Sequence, residues 1–314
     1  MWSILSAGVQ TTLQGDPRMG RRHQGVPWAG PADPWSMALA NRLVGNETFA
    51  VALEVSFGGF TAEIDADCHI ALAGAVGKAI VDGNIVPEHT TLFVKKGATL
   101  TIEPPQVGAR TYVAVAGGFA ADNVMGSPST YLPADLGGYQ GRVLATGDSL
   151  KINPSLRGDV EPRETPTACR PAMTDHFTIR AVESAETTLL EARAIKTLFG
   201  EAFRVGPQVT RMGLSLTGHP LSLRSEGKMK SAAVFPGTVQ CPEGGDPIIL
   251  LVDAQTTGGY PRVAHIARCD RHLLGQIPPR ATVRLLHRTA EQATEDLKRK
   301  LLFLRQWVPD MQLW

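Results

Sequence analysis

Short apolar runs separated by turns make up most of the chain. Apart from the first, residues 2–14, the runs contain three to six residues, are rich in Val, Ile and Thr, and are separated by Gly, Asp or Pro turns. Strands this short and this regularly spaced are typical of a β-barrel or a β-sandwich, and not of alternating strands and helices. In the first half the predicted strands are residues 2–14, 53–57, 61–64, 69–73, 78–81, 91–94, 99–102 and 111–115.

The second half of the chain repeats this pattern, so the predicted fold class is mainly β. Its predicted strands are residues 177–182, 203–205, 214–216, 221–223, 238–240, 248–252, 263–267 and 282–287. The content of Gly (32) and Pro (22) agrees with a chain that turns often. A long polar loop at residues 15–31 is rich in Gly and Arg, and loops of that length usually have a function.

Helical patterns interrupt the strands at three places. The first follows Asp33, whose side chain can cap a helix, and Pro34, whose ring suits the first helical position. Ser184 can cap the second, and Thr289 and Gln292 have the spacing of a capping box at the start of the third. The predicted helices are residues 34–44, 186–199 and 289–308.

A change of composition near the middle of the chain predicts two domains. Residues 153–173 are rich in Pro and in charged residues and show no periodicity, which is typical of a linker. The length of 314 residues also suits two ordinary domains. The predicted domains are residues 1–160 and residues 161–314, the second with a terminal helix.

Charge and cysteine content narrow the classes of partner. Lys and Arg total 31 against 30 Asp and Glu, so the net charge of +1 favours neither nucleic acid nor an acidic membrane surface. The four cysteines form no Cys-x-x-Cys pair, and no secretory signal or membrane-spanning run is present. We therefore expect a cytoplasmic protein whose partners are small molecules or other proteins.

Residues 253–261 differ most from ordinary fold-forming sequence. They follow the apolar run 248–252 and offer a carboxylate, an amide, two hydroxyls, a phenol and two glycines within nine residues. This set can form a ligand-binding turn at the end of a buried strand. Alternatively, Gly258, Gly259 and Pro261 form a tight turn while Thr256 and Thr257 continue the strand. The pattern alone favours neither interpretation.

Several familiar site types are excluded or disfavoured by the sequence. It contains no Gly-x-Ser-x-Gly elbow, no Walker loop and no Gly-x-Gly-x-x-Gly after a strand. His265, Cys269 and His272 are metal-binding residue types, but no partner pair with ligand spacing occurs elsewhere, so we predict no metal. Lys228 lacks the flanking residues of a biotinyl-lysine turn, so we predict no covalent biotin on this chain.

The polar loops, taken together and in order, resemble the allophanate-hydrolase-subunit-2 family, also called the biotin-dependent carboxyltransferase family. The resemblance covers nearly the full chain and is carried by many separated motifs in register. These are residues 8–12, Arg18, Gly20, Gly30, Asp33, 39–46, 53–54, 72–75, 112–119, 125–127, 137–138, 141–142, 211–213, Gly237, 239–240, Pro242, Gly245, 247–248 and 253–261.

This resemblance implies a fold, an activity and partners. The fold is two cyclophilin-like β-barrel domains with a few short helices and a C-terminal helix. The family includes the C subunit of the bacterial 5-oxoprolinase, which opens 5-oxoproline to glutamate with ATP hydrolysis and is active only in a complex. Its partners there are the B subunit, a relative of allophanate hydrolase subunit 1, and the A subunit, which is of the LamB/YcsF type. The implied substrate is a small lactam or amide, and the implied cofactor is ATP within the complex.

The resemblance also directs attention to a set of site residues. Arg211 is the predicted anion clamp and Asp253 the predicted orienting group or base, while Thr256 and Thr257 donate to the carbonyl of the substrate. Predicted substrate-binding residues are Gln240, Gln255, Gly258, Gly259 and Tyr260 in the second domain, and Arg18, Asp33 and Arg142 in the first.

Two other functions stay open at this point. One is a non-catalytic regulatory protein that sequesters a subunit-1 partner, as the family's antagonist of a sporulation inhibitor does. The other is a carboxyltransferase component that uses carboxybiotin. Departures from the family pattern bear on this choice, because the acid of the first loop is displaced to Asp16 and Thr210 precedes Arg211 where Asn or Asp is usual. An altered substrate or a weakened activity would follow from such changes.

Overall fold

The computed structural model of the chain describes residues 1–153, 160–224 and 229–314. The fold is mainly β, as predicted. Residues 154–159 of the predicted linker and Lys228 lie outside the described residues. The division into residues 1–160 and 161–314 stays a prediction.

Contacts group the chain into two compact units. The first unit contains Met1–Met19, Ala29–Met173 and Leu304–Met311. The second unit contains Gly20–Trp28, Thr174–Phe303 and Gln312–Trp314. Each unit is therefore assembled from pieces that are separate in the sequence.

The first unit is built from two antiparallel sheets that enclose one core. Its strands are β1 Trp2–Ala7, β2 Gln10–Gln14, β3 Ala52–Ser56, β4 Phe60–Ile64, β5 Cys68–Gly74, β6 Ala79–Val81, β7 Asn84–Val86, β8 Leu92–Val94, β9 Ala98–Ile102, β10 Arg110–Val115 and β11 Ser149–Leu150. One sheet has the order β11-β1-β4-β9-β6-β7 and the other β2-β3-β10-β5-β8. Inward side chains of both sheets, such as Phe60 and Leu72, belong to one buried cluster.

The one α-helix within residues 1–153 lies against the second sheet. This helix, α1 Pro34–Leu43, contacts β5 and β10 and is buried over most of its surface. The Asp33 carboxylate accepts hydrogen bonds from the backbone N–H groups of Trp35 and Ser36, both at 3.1 Å. The predicted cap is therefore present, and it satisfies two N–H groups that the helix cannot satisfy itself.

The second unit is a closed barrel. Its strands and helices are β12 His176–Glu183, α2 Ala192–Gly200, β13 Ala202–Val209, β14 Gly213–Thr217, β15 Ala232–Ala233, β16 Thr238–Gln240, β17 Ile248–Leu250, β18 Thr257–Gly258, β19 Arg262–Ile266, β20 Thr282–Arg288 and α3 Ala290–Leu304. The barrel order is β12-β19-β16-β17-β14-β13-β20, and β15 pairs with β18 outside it. Closure leaves no unpaired sheet edge in the barrel.

Several predicted elements differ from the structure. Residues 221–223 form no strand, only a single bridge between Leu223 and Leu190. The second helix does not begin at 186, because the backbone at Leu190 is extended and its side chain enters the core. Ser184 does not cap that helix, since its backbone N–H instead binds the hydroxyl of Thr187. The third helix ends at Leu304, four residues before the predicted end at Val308.

The predicted strand 2–14 is divided at Gly8 into β1 and β2. Gly8 has a φ of +66°, and a Cβ atom at this position would lie 2.3 Å from the carbonyl oxygen of Gly58. A residue with a side chain adopts this conformation only at an energetic cost, and it cannot approach Gly58 this closely without a shift of the backbone.

A Gly8→Ala substitution should therefore destabilise the first unit by more than a left-handed backbone alone requires. Gly83, with a φ of +80° and nothing within 4 Å of its Cβ position, is the matched control. We expect Gly83→Ala to cost about 1–2 kcal/mol, and Gly8→Ala to exceed that because of the clash. Denaturant unfolding measures both, and equal losses would show that the clash is relieved at no cost.

Candidate functional site

Two loops of the second unit run side by side at the end of β17. The turn between β13 and β14 contains Arg211 and Met212, and the chain leaving β17 contains Leu251 and Asp253. The backbone N–H of Leu251 donates to the carbonyl of Met212 at 3.0 Å, and that of Asp253 to the carbonyl of Arg211 at 2.9 Å. These bonds continue the β14–β17 pairing past the strand ends, so the loops hold each other in register.

A buried ion pair fastens the same two loops. The guanidinium of Arg211 donates from Nε and Nη2 to the two carboxylate oxygens of Asp253, at 2.7 and 3.0 Å. The exposed fraction is 3% for Arg211 and 1% for Asp253. A bidentate pair of this kind is strongly directional, and removing either residue deprives the other, a buried charge, of this ion pair. The two predicted catalytic residues thus lie together, and each binds the other.

The rest of the 253–261 stretch leads from this buried pair to the surface. Gln255 and Thr257 are exposed, Thr256 is half-buried and Tyr260 has an exposed fraction of 44%. Thr257 and Gly258 form β18 and pair with Ala233 and Ala232 of β15, and the N–H of Val234 donates to the carbonyl of Thr256 at 3.0 Å. The turn is therefore tightly held, and it also presents hydroxyl and phenol groups to solvent. That it binds a ligand stays a prediction.

Gln240 is buried and forms a hydrogen bond with the backbone of this turn. It has an exposed fraction of 2%, and its Nε2 donates to the carbonyl of Tyr260 at 3.3 Å. A Cβ atom on Gly258 would lie 2.6 Å from that Nε2, so only glycine fits without a shift. Gly259 is less restricted, because its nearest neighbour, the carbonyl oxygen of Met229, lies 3.3 Å from the Cβ position. Gln240 and Gly258 thus set the path of the turn.

Arg262 connects the turn to the barrel. Its guanidinium binds the carboxylate of Glu186 at 2.5 and 2.7 Å and the carbonyl of Ala233 at 3.0 Å. The hydrogen bonds from Arg262 hold the pKa of Glu186 below its ordinary value. Glu186 therefore stays ionised at neutral pH, and the pair anchors β15, the strand that pairs with Thr257 and Gly258.

Three residues close to this turn, Arg22, Trp28 and Phe235, were not among the site residues predicted from the sequence. Arg22 donates to the carbonyl of Val234, and its guanidinium lies 5.4 Å from the centre of the Trp28 ring and 4.7 Å from that of Phe235. Burial lowers the pKa of Arg22. The only sequence signal was the length and Arg content of the 15–31 loop. Arg22, Trp28 and Phe235 are thus neighbours of Val234, which binds Thr256.

The predicted site residues of the first unit each have contacts within that unit. Arg18 is fully buried and donates to the carbonyls of Val124 and Ser129, both at 2.9 Å. Arg142 is partly exposed and pairs with Asp148 through two bonds of 2.7 Å. Arg18 therefore organises the loops around it, and Arg142 fixes a surface turn.

Asp33, the cap of α1, adjoins a buried polar network. Its backbone N–H donates to the Tyr112 hydroxyl at 2.8 Å, and that hydroxyl donates to Glu54 at 2.7 Å. Arg110 lies 3.3 Å from the same carboxylate. Burial, with a further contribution from Glu54, raises the pKa of Tyr112 well above its ordinary value, so the phenol keeps its proton. Asp33 is therefore held in place from both sides.

The structure also bears on metal binding and membrane insertion. Within residues 1–153, 160–224 and 229–314, no three His, Cys, Asp or Glu side chains are grouped so that they could hold a metal ion. His265 instead contacts Thr238 and Arg271. No helix in these described ranges is both long and apolar enough to cross a membrane.

Comparison with known proteins assigns the family. Residues 24–287 match the family described as the carboxyltransferase domain, subdomain A and B. The chain belongs to the carboxyltransferase-domain family. The match extends over β3–β19 and α1–α2, so both units of this carboxyltransferase domain carry the similarity. It also includes the Arg211–Asp253 pair and the whole 253–261 turn. The resemblance drawn from the motifs is confirmed.

Individual relatives cover the chain almost completely. The carboxyltransferase domain is 37% identical to the C subunit of 5-oxoprolinase from Escherichia coli (strain K12) over 293 residues, which are 93% of each chain. It is 30% identical to the C subunit of 5-oxoprolinase from Haemophilus influenzae over 308 residues, which are 98% of this chain and 97% of the relative.

A solved structure has the same fold. The urea amidolyase of Kluyveromyces lactis superimposes with a TM-score of 0.92 at 25% identity, over 98% of this chain and 20% of that protein. The carboxyltransferase domain therefore corresponds to about one fifth of that longer chain.

An Arg211→Ala substitution should unfold or strongly destabilise the second unit, because the buried carboxylate of Asp253 would lose its bidentate ion pair. We expect a loss of about 3–5 kcal/mol in the free energy of unfolding. The matched control is Arg299→Ala in α3, whose pair with Glu295 is exposed at the surface and whose loss should cost about 0.5 kcal/mol or less. Denaturant unfolding followed by circular dichroism compares the two, and similar losses would contradict a supporting role for the buried pair.

Proposed function

We propose that this chain is the carboxyltransferase-type C subunit of an ATP-dependent 5-oxoprolinase that opens 5-oxoproline to glutamate. The observation that carries this proposal is the 37% identity, over 93% of both chains, to a protein named as the C subunit of 5-oxoprolinase. The matched length matters here, because the relative and this chain correspond over nearly all of both and not over a shared module alone. In this proposal the chain acts only together with the A and B subunits.

The chemistry of the substrate explains why such an enzyme would use ATP. A lactam carbonyl is a weak electrophile, and its nitrogen is a poor leaving group. Transfer of the γ-phosphoryl group forms a bond from the lactam oxygen to phosphorus and breaks the bond from phosphorus to ADP. Water then adds to the activated carbon, the ring C–N bond breaks, and a proton goes to the nitrogen. A second water hydrolyses the resulting acyl phosphate to glutamate and phosphate.

The 253–261 turn has groups that suit the polar parts of this reaction. We assign Thr256, Thr257 and Tyr260 as hydrogen-bond donors to the carbonyl and carboxylate oxygens of the substrate, with Gln255 beside them. Hydroxyl donors that are already oriented stabilise developing negative charge without a cost of reorganisation. The Arg211–Asp253 pair, Gln240 and the two glycines hold these donors in position. In this scheme Arg211 and Asp253 act as positioning residues, and they reach substrate directly only if the pair opens.

ATP enters the proposal as a substrate of the complex. The sequence contains no Walker loop, and no described loop of this chain is assigned to the triphosphate. Arg18, Asp33 and Arg142 keep their predicted roles in substrate binding as part of the proposal, although each already has contacts within the first unit. The two partner subunits and the cytoplasm as its location belong to the same proposal.

A second candidate function is transfer of a carboxyl group from carboxybiotin to a urea-like acceptor. The observation that favours it is the TM-score of 0.92 to a urea amidolyase. Urea and 5-oxoproline both present a planar amide, so one kind of turn can bind either. A biotin carrier on another chain would be required.

The decisive experiment is to co-express this chain with the A and B subunits and to assay ATP-dependent formation of glutamate from 5-oxoproline. Thr257→Val and Tyr260→Phe each remove one donor and should lower kcat by about 10²-fold. Thr217→Val, on β14 of the same unit, is the matched control and should leave kcat unchanged. Activity on urea with carboxybiotin, and none on 5-oxoproline, would favour the second candidate, and a complex without turnover would favour a regulatory protein.

A Gly258→Ala substitution tests whether the path of the turn matters for activity. The added methyl group would force Gln240 or the turn to move, so we expect kcat to fall by about 10-fold to 10²-fold, since a misplacement near 1 Å can cost about 10²-fold. Gly244→Ala, with nothing within 4 Å of its Cβ position, should have no effect. Full activity of Gly258→Ala would separate the turn from the reaction.

A further inference from the structure

A cavity lies entirely within the first unit, whereas the 253–261 turn belongs to the second unit. Its volume is about 490 Å³, which is within the range of about 300–1,000 Å³ for small-molecule sites. It is lined by the chain that leaves β5 at Gly74 and continues to Lys78, and by residues that begin at Glu103, just after β9. The remaining sides are formed by Glu88, His89 and residues near Arg170.

His89 is a buried polar residue of this cavity. Its exposed fraction is 3%, and its backbone is fixed on both sides, since its N–H donates to Leu72 at 2.8 Å and its carbonyl accepts from Thr165 at 2.9 Å. Its φ of +59° is in the left-handed region. Its ring nitrogen Nδ1 is buried and has no hydrogen-bond partner among the residues that the structure describes.

An unpaired nitrogen in such a position requires an explanation. A buried polar atom without a partner destabilises the folded state, and folded proteins rarely retain one. The backbone bonds of His89 would persist with a smaller or an apolar side chain, so they do not require an imidazole. A ligand in the adjoining cavity that reached Nδ1 would supply the missing hydrogen bond at no cost to the fold.

The charges around the cavity define the class of ligand. Two cations, Lys78 and Arg170, and two carboxylates, Glu88 and Glu103, line it. Lys78 and Glu103 are 4.0 Å apart at the exposed rim, and burial raises the pKa of Glu88. Burial, together with Arg170, lowers the pKa of His89 to about 4, so its ring is neutral at pH 7 and can donate one hydrogen bond and accept another.

This balance of charge disfavours a polyanion. A nucleoside triphosphate carries several negative charges and would meet two carboxylates and only two cations. A dication would meet Lys78 and Arg170. A molecule with one ammonium and one or two carboxylate groups, in contrast, finds a partner of opposite sign for each charge.

We propose that this cavity binds a free α-amino acid. Its carboxylate lies toward Lys78 and Arg170, its ammonium group toward Glu88 and Glu103, and His89 provides the buried hydrogen bond. This site goes beyond the proposed function and does not depend on it, because it uses other residues in another unit of the chain.

Binding to the isolated 314-residue chain, without ATP or partner subunits, tests the proposal. L-Glutamate and L-glutamine are the probes, glutarate is glutamate without the ammonium group, and 5-oxoproline has its nitrogen acylated. We expect calorimetric titration to show binding of both amino acids, and glutarate and 5-oxoproline to bind about 10-fold more weakly or worse, as loss of one charged partner requires. Glutamate should also shift the ¹⁵N resonance of the His89 ring.

Two variants and a control complete the test. His89→Asn preserves a side chain that tolerates the left-handed backbone, and Glu88→Gln removes one charge with little change of shape. Each should weaken glutamate binding by about 10-fold, while His176→Asn, an exposed position on β12, should not. Glutarate or 5-oxoproline binding as tightly as glutamate would overturn the amino-acid assignment, and no binding of any probe would overturn the site. Either failure leaves the 5-oxoprolinase assay unaffected.

Discussion

The buried pair of Arg211 and Asp253 is the interaction on which the candidate site depends. Both charges have left water, which is favourable only while each binds the other closely. They therefore bring together two loops that are 42 residues apart in the chain. The 253–261 turn, which includes the exposed Thr257 and Tyr260, therefore begins at a residue whose position is fixed. A fixed ion pair of this kind allows a turn at the surface to keep its hydroxyl groups oriented.

The first unit uses the same principle with a different set of groups. Glu54 is buried with Arg110 and Tyr112, and this network fixes Asp33 at the start of α1. Loops on a β scaffold have few backbone partners of their own, so buried charges take over the role that strand pairing has elsewhere. The motifs that carried the family resemblance include Asp33, Glu54 and Tyr112. Part of the resemblance therefore consists of residues that hold loops in place.

The strands were largely predictable from the sequence, because alternation of apolar residues and turn chemistry are local signals. The hairpin of β6 and β7 is an exception with a physical reason. It turns at Asp82 and Gly83, both with positive φ, and its second strand has only three residues, too few to show alternation of apolar and polar positions. In the site, the 253–261 turn could be identified, whereas Arg22 could not, since it binds Val234 across 212 residues. No local pattern reports a contact of that range.

The position of residues 20–28 in the second unit affects how the protein is made. Arg22 is synthesised early, yet its partner Val234 emerges 212 residues later, roughly 10–40 s at ribosomal speed. During that interval Trp28 and Arg22 have no barrel to join. The second unit is thus completed by a segment that was translated long before it, so a gene fragment that encodes only the later residues would yield a barrel without the stack of Arg22 on Phe235.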